Sequence, residues 1–238
     1  VARALGERPS IFAAGRTDAG VHALGQVVNF KSRSSLPLHE IRERLNDQLP
    51  KDVAVIRVDE VPESFHSRHD ARERIYLYRI TTRRSAFLKD LAWWVRSKLE
   101  IEPMKAAAAL LVGHRDFAPF ADKDMVPEDS VLTLFDIRID RTGTLLELRF
   151  RAERFLPRMV RRLVGVLVAV GQGKLSPTAA GEIFDNPSQE VAEWTAPPQG
   201  LYLEGVLYDE KSSAAPAYRG GKGGAGKNEG SEILVWRP

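Results

Sequence analysis

Asp18 is the residue of this sequence best placed to do chemistry. It stands in Gly15-Arg16-Thr17-Asp18-Ala19-Gly20-Val21-His22-Ala23, a single acid among small residues, with Arg16 two positions before it and His22 four after. Glycines at 15 and 20 permit positive φ and let a ligand come close to the backbone. A carboxylate held in this way can project into a cleft and act as a nucleophile or a base. The same residues also suit an ordinary turn, in which the aspartate bonds backbone amides. His22, read alone, fits a hydrogen-bonding loop histidine. A second concentration of charge lies at Arg149, Arg151, Arg154, Arg158, Arg161 and Arg162. Guanidiniums so crowded can neutralise the phosphates of a nucleic acid. They can equally coat a solvated strand edge and helix face.

Composition narrows the chemistry. The chain has no cysteine, which excludes disulfides, thiolate metal sites and cysteine nucleophiles. No second carboxylate or histidine cluster near Asp18 has metal-ligand spacing, which argues against a metal-dependent hydrolase. With 238 residues, 43% hydrophobic and 28% charged, the chain reads as an ordinary globular protein of one large domain or two small ones. Its net charge of +3 is a mild lean toward acidic partners. No apolar run approaches the roughly 18 residues of a membrane span. Val1-Ala2-Arg3-Ala4 is not followed by the apolar core of a signal peptide. A cytoplasmic location is the expectation.

The elements that must position these residues can be read from periodicity. Residues 10–14 read as a strand entering the Asp18 loop, and 26–30 as the strand leaving it. Pro37 opens a helix reaching Leu49, with Leu38, Ile41, Leu45 and Leu49 at helical spacing, and Pro50 stops it. Residues 53–58 form a β-branched strand. The polar stretch 65–74 reads as a link between halves, and Ile75-Tyr76-Leu77-Tyr78-Arg79-Ile80 alternates as a strand. A short strand at 93–95 and a helix from Pro103 to Leu111, ended by Gly113, follow. Residues 133–141 and 145–151 form a hairpin across Thr142-Gly143-Thr144. A broadly apolar helix covers 156–170. Gly165 inside it costs roughly 1 kcal/mol of helix propensity, which close packing would offset. A helix at 178–184 and a strand at 201–208 complete the series. Ser, Ala, Gly and Lys dominate 212–230, a flexible segment by composition, and Ile233-Leu234-Val235-Trp236 is an apolar end able to dock. Interleaved helices and hairpin-joined strands indicate α+β architecture with mainly antiparallel sheets.

The Asp18 loop, followed by Gly25-Gln26-Val27-Val28, resembles the signature of the bacterial tRNA pseudouridine synthase A family. Phe65-His66-Ser67-Arg68, Arg74-Ile75-Tyr76-Leu77-Tyr78, Phe155-Leu156-Pro157-Arg158-Met159-Val160-Arg161-Arg162 and Gly200-Leu201-Tyr202-Leu203 are similar to further family segments, in the same order. The resemblance implies two related halves, 1–64 and 65–211, with sheets joined around a central catalytic cleft, then 212–230 and the C-terminal end 231–238. It implies isomerisation of uridine to pseudouridine at positions 38–40 of the tRNA anticodon stem-loop, with base flipping, by a homodimer that needs no cofactor and no metal. The catalytic residues would be Asp18 as nucleophile or base, Tyr76 as stacking platform and proton relay, and Arg161 as counter-ion of Asp18. Arg16 would steady the flipped state, and Arg154, Arg158 and Arg162 would hold the RNA backbone. The Phe117–Phe120 stretch would suit a subunit interface. Two departures stand out. Proline and arginine occupy 157 and 158 where many members carry histidine or other residues. The family's first strand and most of its first helix would precede Val1, so an RNA-binding fragment impaired in turnover is the alternative expectation.

Overall fold

The computed structural model describes residues 1–187, 190–209 and 231–237. In chain order its elements are α1 (Ala2–Leu5), β1 (Phe12–Ala13), β2 (His22–Ala23), β3 (Gln26–Phe30), α2 (Leu38–Gln48), β4 (Ala54–Val61), β5 (Ala71–Thr81) and β6 (Trp93–Trp94). Then follow α3 (Ile101–Leu111), β7 (Gly113–Asp116), β8 (Val131–Thr142), β9 (Leu145–Ala152), α4 (Met159–Gly171), α5 (Pro177–Glu182), α6 (Glu190–Glu193), β10 (Leu201–Tyr208) and β11 (Ser231–Arg237). The fold is α+β. The pairings β1–β3, β3–β11, β11–β4, β5–β9, β9–β8 and β8–β7 are antiparallel, and β5–β6 is parallel.

Contacts divide the chain into two units. One takes Val1–Thr17, Ala23–Glu73 and the described residues from Leu203 onward; the other takes Asp18–His22 and Arg74–Tyr202. In this division 65–73 groups with the first unit and Asp18 with 74–202. The reason lies in 65–70, which is anchored rather than a link. Asn29 Nδ2 donates to the Phe65 carbonyl at 3.3 Å and Asn29 Oδ1 accepts from Ser67 N at 2.9 Å. Ser67 Oγ donates to the Phe12 carbonyl at 3.0 Å, and the Tyr208 hydroxyl donates to the Ser67 carbonyl at 2.7 Å.

In the first unit the strand order is β1-β3-β11-β4, with β11 antiparallel to both neighbours. The apolar C-terminal end thus docks as an interior strand of a sheet. The Gly- and Lys-rich 212–230 lies outside the described residues. Ile41 and Leu45, one turn apart on α2, bury against Phe30, Val55 and Val58, as the helical spacing predicts. Asn46 closes the end of α2 by exchanging two hydrogen bonds with the backbone of Val55, at 3.0 and 2.7 Å.

The second sheet runs β2-β10-β5-β9-β8-β7, with β6 on β5. Its hairpin turns at Gly143, whose φ of 60° is one a side chain rarely adopts. Helix α4 belongs to this unit, and every residue of it except Arg161 is buried. It begins at Met159 rather than 156, because Arg158 takes a left-handed backbone (φ 62°) and caps it. Phe117 and Phe120, expected at an interface, are fully buried and pack their rings on Phe184 at 5.2 and 5.3 Å. The run Phe117-Ala118-Pro119-Phe120 looked exposed because its partner is more than sixty residues away in sequence.

Candidate active site

The Asp18 loop is fixed at both ends. On its entry side the Gln26 side chain brackets Gly15, donating to its carbonyl at 2.8 Å and accepting from its amide at 3.4 Å. The turn closes with Val21 N donating to the Asp18 carbonyl at 3.0 Å. Gly20 stands at φ 80°, and a Cβ there would meet the Pro198 side chain at 3.2 Å. On the exit side His22 stacks on Tyr202 with centroids 4.7 Å apart, and its Nε2 donates to the Asp90 carbonyl at 2.8 Å. His22 is therefore a positioning residue. The sequence signalled it only as a loop histidine.

Asp18 and Arg161 meet. Arg161 Nη1 lies 3.2 Å from Asp18 Oδ2, with the arginine side chain 15% exposed and the aspartate side chain 48% exposed. A pair this open to water adds only about 0–1 kcal/mol to folding. Its arrangement is better suited to orienting the carboxylate. Among the described residues Asp18 Oδ1 accepts no hydrogen bond, so one oxygen is gripped and the other is left without a partner there.

Arg161 is itself clamped. Its Nε donates to the Ala196 carbonyl at 2.7 Å, and the Ala196 amide donates back to the Arg161 carbonyl at 3.0 Å. This reciprocal pair requires residues 194–196 to lie against α4. Gly165, one helical turn beyond Arg161, makes that possible: a Cβ there would fall 1.6 Å from the Trp194 carbonyl oxygen. The glycine that lowers helix propensity is thus the site of closest packing. The residues at 194–196 carry no sequence signal of their own, since they act through the backbone.

Tyr76 is buried, with its ring edge-on to Phe155 at 5.0 Å. Burial pushes its phenol up to about 12; the Arg74 charge pulls the other way and the Asp18 charge adds to the rise. Tyr78, two residues on and buried, is raised by burial too, against the Arg161 charge, and its hydroxyl donates to the Pro197 carbonyl at 2.7 Å. Both phenols stay protonated at neutral pH. Free tyrosine ionises near pH 10. Between pH 10 and 12 the folded chain keeps protons that the unfolded chain loses, so stability falls as pH rises, by about 1.4 kcal/mol per pH unit per tyrosine. We expect Tyr76→Phe to remove one such share and to leave the slope below pH 9 unchanged. Denaturant unfolding at pH 9, 10 and 11 checks this; identical slopes in both proteins would contradict it.

The remaining arginines separate. Arg16 is exposed and has no ion-pair partner among the described residues. Arg154 pairs with Asp129 and donates to the Val131 carbonyl at 2.8 Å. Arg158 pairs with Asp122 at 3.1 Å, and Asp122 N bonds the Pro157 carbonyl at 3.0 Å, which together hold the left-handed cap. Arg162, expected among the phosphate-holding set, is 5% exposed and donates Nη1 to the Ala121 carbonyl. Burial lowers its pKa, opposed by the Asp122 charge. It points inward because consecutive helical residues lie about 100° apart, so Arg161 and Arg162 cannot share a face. Among the described residues no three His, Asp or Glu side chains are grouped to hold a metal ion.

The second unit thus places a half-gripped aspartate on a loop against a helix arginine, with a buried tyrosine on the neighbouring sheet. A family model described as tRNA pseudouridine synthase matches residues 5–70 and 107–209. The tRNA pseudouridine synthase A of Citrifermentans bemidjiense is 40% identical over 214 residues, covering 89% of this chain and 86% of that protein. Those of Brevibacillus brevis and Thermoanaerobacter sp. are 40% and 35% identical over 208 and 210 residues, each covering 87% of this chain and 85% and 86% of the relative. The chain belongs to the tRNA pseudouridine synthase family.

Proposed function

We propose that this enzyme isomerises uridines at positions 38 to 40 of the tRNA anticodon stem-loop, with Asp18 as its catalytic carboxylate. The observation that carries the reading is the Asp18–Arg161 pair at 3.2 Å, which leaves one carboxylate oxygen free. The reaction breaks N1–C1′, forms C5–C1′ and releases the C5 proton. Asp18 Oδ1 is available to attack C1′ or to take a proton in an elimination route. Arg161, permanently cationic and clamped at Ala196, holds the carboxylate in one orientation while the base turns over. Tyr76 offers a phenol that is neutral at physiological pH. Such a group takes the C5 proton only while handing its own on, which makes it a relay rather than a free base.

The target uridine must leave its stack, at a cost of a few kcal/mol. Arg16, exposed and without an ion-pair partner among the described residues, is assigned to steady the extruded state. Arg154 and Arg158, both partly exposed, are assigned to the RNA backbone. Arg162 is not, since its guanidinium is turned inward. No helix among the described residues is long and apolar enough to cross a membrane. The family resemblance also supports a homodimer working on tRNA in the cytoplasm.

The test is nucleotide-resolution mapping of an unmodified tRNA transcript with uridines at 38, 39 and 40 after incubation with the purified protein. Pseudouridine at one or more of these positions, and at no other uridine, is the expected result. Modification confined to other positions would reject the substrate assignment while leaving the chemistry intact.

A further inference from the structure

Outside the catalytic residues, the most unusual surface of the second unit is the segment 82–98. It carries Arg83, Arg84, Lys89, Arg96 and Lys98; Lys89 pairs with Asp90 and Lys98 with Glu100, and the three arginines have no ion-pair partner among the described residues. Three large apolar side chains stand exposed within it: Phe87 at 91%, Leu91 at 40% and Trp94 at 38%. The guanidinium carbons of Arg84 and Arg96 lie 5.6 and 5.4 Å from the Trp94 ring centroid. Neither arginine has a carboxylate partner among the described residues. Elsewhere in this unit arginines such as Arg79, Arg138 and Arg149 are neutralised by acids.

The segment is tied to the catalytic loop. The Asp90 carbonyl meets His22 Nε2 at 2.8 Å, the Leu91 carbonyl accepts from the Tyr202 hydroxyl at 2.6 Å, and Tyr202 stacks on His22. It does not form part of the reacting centre. Trp94 is in register with Thr81 on β5, five residues beyond Tyr76, a separation of roughly 16 Å along a strand. Side chains alternate along β5, so Tyr76 and Tyr78 share one face, where Trp93 meets Tyr78 edge-on at 6.4 Å. Thr81 and, by register, Trp94 take the opposite face.

We infer that the Arg84–Trp94–Arg96 cluster, with Phe87, is a second RNA-binding surface that holds tRNA nucleotides other than the one isomerised at Asp18. Unneutralised guanidiniums beside exposed aromatic rings match a polyanion whose unpaired bases can stack. A partner protein would need the apolar side chains but would gain little from this uncompensated positive charge. The inference rests on the tRNA reading given above. Because Trp94 and Tyr76 point to opposite faces, the surface contributes to binding and not to the bond changes.

The experiment compares wild type with Trp94→Ala and with the double variant Arg84→Glu/Arg96→Glu. Full-length tRNA affinity is measured at two salt concentrations, together with single-turnover pseudouridine formation at saturating tRNA and sedimentation of each protein. Roughly tenfold weaker binding is expected for each variant. The double variant should show a log–log salt slope shallower by about 1.8 if two phosphate contacts are lost. The rate at saturation and the assembly state should be unchanged. Unaltered affinity in both variants would overturn the proposal. So would a change in assembly state, which would assign the patch to a protein contact. Wild-type turnover in the same assay separates the outcomes: absent turnover rejects the functional reading, whereas turnover with unchanged affinity rejects this surface alone.

Discussion

Asp18→Asn is expected to abolish pseudouridine formation, by at least about 10⁴-fold, and to leave tRNA affinity within about tenfold of wild type. The substitution keeps the shape of the side chain and the Asp18 turn, whose closing bond runs from Val21 N to the Asp18 main-chain carbonyl and not to the side chain. What it removes is the negative charge and the nucleophilic oxygen. An amide oxygen at Oδ1 can neither attack C1′ nor take a proton at neutral pH. Arg161 loses its anionic partner but keeps the Ala196 clamp through Nε, so the arginine stays in place. Binding should survive because the groups assigned to the RNA backbone are elsewhere. A filter-binding titration of Asp18→Asn at two salt concentrations checks the second half of this expectation. A large loss of affinity would instead give Asp18 a structural role.

Gly165→Ala is expected to be strongly damaging. Its Cβ would sit 1.6 Å from the Trp194 carbonyl oxygen, 2.6 Å from the Trp194 carbonyl carbon and 3.0 Å from Trp194 Cβ. Two of these atoms are main chain, so no rotamer change relieves the clash, and α4 is buried on almost every side. Either the helix or residues 194–196 must move. Alanine would otherwise favour the helix by about 1 kcal/mol, so overpacking must exceed that gain. We expect a net loss of about 3 kcal/mol, near the upper end of the range for overpacked cores. For a chain of this size that corresponds to a fall in Tm of roughly 6–12 °C. Moving 194–196 also moves Ala196, the acceptor for Arg161, so turnover at a temperature where the variant is folded should fall as well. Calorimetry beside a turnover assay checks both. An unchanged Tm would show that the chain at Trp194 yields freely.

The contrast between these residues shows what the sequence made legible. Asp18 was visible because a lone acid among glycines is a local pattern. Its pairing with Arg161 came from the family resemblance, since the two are 143 positions apart. Elements with strong periodicity appeared where expected: α2 behind Pro37, the β8–β9 hairpin at Gly143, and β10 at 201–208. The start of α4 did not, because a left-handed cap at Arg158 is stabilised by Asp122, a residue distant in sequence. Arg162 and Phe117 were misread for the same reason. Whether an arginine or a phenylalanine is exposed depends on what packs over it, here the Ala121 carbonyl and Phe184. The Ala196 clamp left no trace at all, because main-chain hydrogen bonds are available to any residue type. That β11 fills an interior position between β3 and β4 depends on pairing with strands about 170–210 residues earlier, which an apolar end does not encode. The 65–70 stretch looked like a link because its anchoring side chains, Asn29 and Ser67, are small and polar.

The most direct test of the central claim is single-turnover release of tritium from tRNA labelled at uridine C5, with enzyme in excess. Forming the C5–C1′ bond expels that hydrogen, so label appears in water in step with product. Wild type should release label from the target uridines and then stop, and Asp18→Asn should release none above the enzyme-free rate. Release by Asp18→Asn at a rate comparable to wild type would contradict the assignment of Asp18 as the catalytic carboxylate.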